Sequence, residues 1–145
     1  LIVGGGHIGQ PLSEIARLTG YDVRVIDAKP ERGDHGVLVP DDITPHTYVI
    51  LITEDHITDE QALRGILSTP APYIGMIGSQ RKIRMVLDHL RKDGLEDALA
   101  GRFHGPIGLD LGGREPAQIA LAILAEIEMV RHGGTGRPRS EPLRE

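Results

Sequence analysis

Short, continuous apolar runs alternate with longer stretches of helical period along this chain. The runs are Leu1 to Val3, Asp22 to Asp27 (with Val23, Val25 and Ile26 as its apolar positions), Thr47 to Ile52 and Tyr73 to Ile77. Runs of this length bounded by turn residues read as buried strands. Between them, His7 to Thr19 places Ile8, Leu12, Ile15, Ala16 and Leu18 near one face, which predicts a first helix stopped by Gly20. Asp59 to Leu67 predicts a short helix, and Ser79 to Asp93 a longer one capped by Ser79 and closed by Gly94. Pro116 to His132 predicts the longest helix. Ile119, Ile123, Ile127 and Val130 recur on one face with Ala120 and Leu124 beside them, and Pro116 and Gly133 suit its two ends.

Strands alternating with helices predict an α/β fold: a three-layer, Rossmann-like, doubly wound and mainly parallel sheet over residues 1–132. The remainder, 133–145, is Gly, Pro, Arg and Glu and reads as a flexible tail. One connection is unusual. The loop from Ala28 to Pro45 holds Pro30, Gly33, Gly36 and Pro40 and shows no helical pattern, with Val37-Leu38-Val39 as a candidate short third strand. A parallel crossover needs at least about 10–12 residues. Either the second crossover helix is vestigial or residues are missing between Pro30 and Pro40, and the second reading is the one favoured. The chain also opens without Met, directly inside an apolar strand, so residues, up to a whole domain, are expected to precede Leu1 in the complete protein.

Composition narrows the function classes. With 145 residues, 39% hydrophobic and 26% charged, the chain matches one soluble domain with a real core. A net charge of −5 argues against sequence-independent nucleic-acid binding, which needs a basic face. The absence of cysteine excludes disulfides, thiolate metal sites and cysteine nucleophiles, and fits a reducing, cytoplasmic setting. No apolar run approaches the roughly 20 residues that span a bilayer, and no signal peptide is visible.

The strongest chemical signal is the loop Gly4-Gly5-Gly6-His7-Ile8-Gly9, which leaves the first strand and opens the first helix. In a Gly-x-Gly-x-x-Gly loop the first glycine permits the tight turn, the second lets backbone approach a pyrophosphate, and the third allows close helix packing. The helix start then offers free N–H groups and a partial positive charge to phosphates. Asp27 follows Gly9 by 18 residues, at the end of the second strand, where an acidic side chain accepts hydrogen bonds from a ribose. That position favours NAD over NADP, and Lys29 two residues on softens the preference. The alternative is a degenerate fold whose glycines survive only for packing.

Three other constellations carry candidate chemistry. Thr53-Glu54-Asp55-His56 follows a buried strand at the edge where open α/β sheets bind ligands. Asp55 and His56 are the weak catalytic candidates, as base and orienter, and Thr53 a cofactor contact; otherwise Asp55 organises the turn while Thr58 or Asp59 caps the next helix. Gly78-Ser79-Gln80-Arg81-Lys82 also joins a strand to a helix, and Gly78, Ser79 and Lys82 form a candidate phosphate site, or else a plain N-cap with a solvated basic face. His46, His56, His104 and Asp110 lack metal-type spacing, so no metal site is expected. No Ser-His-Asp order or nucleophile elbow is present.

Taken with the glycine loop, five motifs in order give the chain a family likeness. They are Pro45-His46-Thr47-Tyr48-Val49-Ile50; Thr53-Glu54-Asp55-His56 with Asp59; Tyr73-Ile74-Gly75-Met76-Ile77-Gly78-Ser79 with Lys82; His104-Gly105-Pro106-Ile107-Gly108-Leu109-Asp110-Leu111-Gly112; and Pro116 to Ile127. From Leu1 to His132 the chain resembles the C-terminal Rossmann domain of the XdhC/CoxI family, accessory factors for xanthine dehydrogenase and related molybdenum hydroxylases. It departs at Glu54, where that family usually has His. The resemblance implies an accessory role without turnover of its own: binding a dinucleotide or the molybdopterin cofactor, and supporting its sulfuration and insertion into an apo-hydroxylase. It further implies a sulfurtransferase as a second partner, and leaves a homodimer open. The residues alone leave two other readings open, an NAD-dependent oxidoreductase and a sensor of NAD redox state.

Overall fold

The computed structural model describes residues 1–34 and 36–141. The four apolar runs hold the strands β1 (Ile2–Val3), β2 (Val25–Ile26), β3 (Tyr48–Leu51) and β4 (Tyr73–Met76), and a fifth strand, β5 (Phe103–His104), joins them. The helical stretches become α1 (Gly9–Leu18), α2 (His56–Ile66), α3 (Gln80–Lys92) and α4 (Pro116–His132). The strands form one sheet in the order β2-β1-β3-β4-β5, every neighbouring pair parallel. Alternate strand residues serve opposite layers. Ile2, Ile50 and Tyr73 pack with Leu12, Ala16, Ala120, Ile123 and Ile127 of α1 and α4. Val3, Val49, Leu51, Ile74 and Met76 pack with Leu63, Ile66, Ile83, Val86 and Leu90 of α2 and α3. A parallel sheet covered on both faces explains why its strands read as continuous apolar runs. The doubly wound α/β architecture expected from the pattern is therefore the one found.

Two local features depart from expectation. Val37-Leu38-Val39 is not a strand. The outer edge of β2 is already taken, because the Asp34 N–H donates to the Val25 carbonyl at 2.8 Å and the Asp34 carboxylate accepts from the Val25 N–H at 2.9 Å. The chain then crosses back to β3 without an α-helix, through 3-10 turns at Pro30–Arg32 and Pro40–Asp42, with Leu38 and Ile43 anchored in the α2/α3 layer. The second is an addition: β5, a two-residue edge strand that the sequence pattern does not announce.

Winding reverses at β1. The chain steps from β1 to β2 on one side and returns to β3 on the other. Loops leaving the carboxyl ends of β1 and β3 therefore diverge and open a crevice, the place where ligands enter open α/β sheets. Among the described residues, no helix is long and apolar enough to cross a membrane. After α4, which ends on left-handed Gly133, residues 134–141 are exposed and form no regular element.

Candidate functional site

A cleft of about 480 Å³ occupies this crevice. Val3, Ile26, Ile52 and Ile77 make its floor, and Gly4, Gly6, His7, Ile8, Asp27, Lys29, Arg32, Thr53, Glu54 and Asp55 its walls. The three glycines of the loop do different work. Gly4 has φ of +120°, and a Cβ there would come within 2.6 Å of the Ile52 carbonyl oxygen. A Cβ at Gly9 would run into the Gly4 carbonyl oxygen, so only glycine lets α1 start this close to the loop. Gly6 is open: a Cβ would meet nothing nearer than 3.6 Å. Among the described residues the N–H groups of Gly6, His7 and Ile8 find no acceptor, and all three residues face the cleft. Pro11, lacking an N–H, falls in the first turn of α1, where proline is tolerated.

Asp27 closes the loop from the β2 side. Its carboxylate accepts the Gly5 N–H at 2.7 Å and the Lys29 N–H at 2.8 Å. Burial pushes its pKa up, but the two N–H donors and the charges of Arg32 and Lys29 outweigh that and hold it below the ordinary value. Each oxygen keeps a second lone pair for a ribose hydroxyl. Gln10 fastens the same turn, its side-chain amide donating to the carbonyls of Gly5 at 2.9 Å and Arg32 at 2.8 Å.

On the β3 side, Asp55 is the N-cap of α2. Its carboxylate accepts from the Ile57 N–H at 3.0 Å and the Thr58 hydroxyl at 2.8 Å, and these contacts hold its pKa low. His56 is exposed, with Nδ1 3.9 Å from Asp55, too far for a hydrogen bond. The two are not assembled as base and orienter, and the cap is Asp55 rather than Thr58 or Asp59. Asp59 instead lies fully buried beneath the cleft. It accepts the Thr53 N–H at 3.1 Å, the Thr53 hydroxyl at 2.8 Å and the Lys82 ammonium at 2.9 Å. Lys82 also donates to the Ile77 carbonyl at 3.1 Å. Its charge is thus committed to Asp59, while Ser79 caps α3 by accepting the Lys82 N–H at 3.1 Å. Gly78, Ser79 and Lys82 do not line the cleft.

Sequence reading passed over Arg32, whose guanidinium reaches Glu54 at 3.3 Å across the cleft, and the role of Asp59. Asp59 carried a signal: it lies on the stripe of Leu63 and Ile66, and an acid on an apolar face demands a buried partner. Glu126 carried the same signal on α4. It accepts the Tyr73 hydroxyl at 2.7 Å, and His104 stacks on the Tyr73 ring with centroids 4.4 Å apart. That cluster ties α4 to β4 and β5, away from the cleft. His46 precedes β3 and His56 follows it, so they lie at opposite ends of the sheet. Among the described residues no three His, Asp or Glu side chains converge as a metal site would require. A second cavity of about 220 Å³ opens at the opposite end of the strands, beside Leu1, Thr47 and Tyr48, but Leu12, Ala16, Ile50, Leu124 and Ile127 make it chiefly apolar.

The family described as the XdhC Rossmann domain matches residues 1–127. The chain is 27% identical to uncharacterized protein YqeB of Escherichia coli K12, over 98% of this chain and 29% of that protein. It is 27% identical to the molybdenum cofactor insertion chaperone PaoD of the same bacterium, over 90% of this chain and 39% of that one. A crystal structure of a xanthine dehydrogenase from Bacillus halodurans superposes with a TM-score of 0.74 at 25% identity, covering 97% of this chain and 44% of that one. The chain thus spans less than half the length of each of these relatives.

Proposed function

The chain belongs to the XdhC Rossmann domain family, and from that premise we propose that it is the nucleotide-holding domain of an accessory protein that helps load the molybdenum cofactor into a xanthine dehydrogenase-type hydroxylase. The observation that carries this reading is the pairing of open Gly6 and the unclaimed N–H groups of Gly6, His7 and Ile8 with Asp27 across a crevice at the winding reversal. Backbone donors at a helix start suit a diphosphate, and the Asp27 carboxylate suits an unphosphorylated ribose. NAD fits that pair better than NADP; a molybdopterin-type cofactor offers phosphate to the same donors. The name of PaoD supports the molybdenum setting, and that of the Bacillus halodurans protein the link to xanthine dehydrogenase. The domain holds its ligand rather than turning it over, since the Asp55 carboxylate is spent on a helix cap. These 145 residues contain no cysteine, so sulfur for sulfuration of the cofactor comes from outside them, and a sulfurtransferase is the partner proposed for that step. A cytoplasmic setting for the protein goes with this reading, and the lack of cysteine in these residues is compatible with a reducing compartment.

The test is cofactor loading of the apo-hydroxylase by the complete protein, with wild type and Gly6→Val compared. A valine Cβ fits at Gly6 without touching backbone, so the domain folds while its methyls fill the diphosphate position. Loading is expected to fall at least tenfold. Equal loading by the two proteins would refute the role of the loop.

A further inference from the structure

Two charged side chains arch over Gly6. Arg32 comes from the turn after β2 and Glu54 from the loop after β3, so they approach from opposite sides of β1. Their Nη1 and Oε1 atoms meet at 3.3 Å. The nearest atoms to a Cβ position at Gly6 are these same groups, Glu54 Oε1 at 3.6 Å and Arg32 Nη1 at 3.8 Å. Gly6 is the residue over which a diphosphate would lie, so the pair stands on the ground that the ligand must take. It is also weakly held. Glu54 is 72% exposed and makes no other ion pair among the described residues, and Arg32 is 30% exposed. Exposed pairs of this kind contribute little and yield to a better partner. A diphosphate is such a partner, because it offers a guanidinium two acceptor oxygens in a fork geometry.

We propose that Arg32 is the cationic side chain that receives the diphosphate of a bound nucleotide, and that Glu54 is an internal stand-in for that diphosphate, holding the guanidinium until the ligand displaces it. This rests on the dinucleotide reading above and deepens it: it names the recognised group as a diphosphate and adds two residues to the site. The Arg32 backbone is fixed independently of its side chain, since Gln10 donates to the Arg32 carbonyl at 2.8 Å, so the guanidinium can turn without undoing the loop. Glu54 swings into solvent as the ligand enters, which relieves the repulsion between its carboxylate and the phosphates.

The test is titration calorimetry of the full chain with NAD, ADP and inorganic pyrophosphate. The proteins compared are wild type, Glu54→Gln, Arg32→Gln and the double variant. Glu54→Gln is expected to tighten all three ligands about two- to fivefold, the range set by releasing an exposed pair. Arg32→Gln is expected to weaken NAD and ADP about tenfold or more, the scale of a charged hydrogen bond. In the Arg32→Gln background, adding Glu54→Gln should gain nothing, a coupling that a merely structural role would not produce. Wild-type binding of NAD or ADP that Arg32→Gln leaves unchanged, or that Glu54→Gln weakens, overturns the proposal while leaving the dinucleotide reading standing. If none of the four proteins binds any of the three ligands, the dinucleotide reading itself falls, and this inference with it.

Discussion

Lys82→Met separates a structural lysine from a ligand-binding one. The Lys82 ammonium lies 2.9 Å from Asp59 Oδ2; the Asp59 side chain is 0% exposed and that of Lys82 19%. Removing one partner of a buried pair strands the other charge and typically costs about 3–5 kcal/mol. Two features place this site at or just below the lower end. Lys82 keeps some contact with water, and Thr53 continues to donate its N–H and hydroxyl to Asp59 Oδ1. A loss of about 2–3 kcal/mol follows, which for a domain of this size lowers the melting temperature by roughly 6–10 °C. Urea unfolding followed by far-ultraviolet circular dichroism measures it directly. Adding Asp59→Asn should restore at least half the loss, because the amide oxygen still receives Thr53 and no bare charge remains. Affinity for ADP should stay level in both proteins, since Thr53, the residue that touches the cleft, remains anchored. An unchanged urea midpoint together with weakened ADP binding would refute this assignment and return Lys82 to the ligand.

The glycine loop divides under mutation. Gly9→Ala drives a methyl into the Gly4 carbonyl and should cost about 1–3 kcal/mol by overpacking, whereas Gly6→Ala should leave the unfolding free energy within about 0.5 kcal/mol and weaken ADP; equal loss of stability in both would show that Gly6 serves only packing. Tyr73→Phe leaves the buried Glu126 carboxylate without its hydroxyl donor and should cost about 1–3 kcal/mol in the same assay. In the wild-type chain burial, then the hydrogen bond and charge of Glu126, raise the Tyr73 phenol well above its ordinary value. Its contribution to stability is therefore full below about pH 10 and is lost as pH rises further, and reversible phenolate absorbance from all three tyrosines of the still-folded chain would contradict this.

The fold was largely legible because its period is simple. A parallel sheet buried on both faces writes itself as uninterrupted apolar runs, and α4 was bounded correctly by its terminal Pro116 and Gly133. What failed were elements that depend on partners distant in sequence. Whether Val37-Leu38-Val39 pairs with β2 turns on Asp34, which reaches the Val25 amide first. Phe103 and His104 become β5 only because β4 offers them an open edge, with Ile74 opposite Phe103 and Gly75 opposite His104. A two-residue strand has no period to detect.

The candidate site was legible in part, and the division follows from what spacing can encode. Gly4, Gly6, Gly9 and Asp27 lie in one β-α-β unit, whose geometry is nearly fixed, so distance along the chain stands in for distance in space. Arg32 and Glu54 belong to different crossovers, and only the reversal of winding at β1 brings them together over Gly6. Lys82 looked like a phosphate ligand because it follows a strand and opens a helix, as the glycine loop does. The buried Asp59 of α2 claims its ammonium first. A cation near a cleft is available to a ligand only when no buried acid holds it. That condition is met at Arg32, whose acid is exposed and displaceable, and not at Lys82, whose acid is sealed inside the fold.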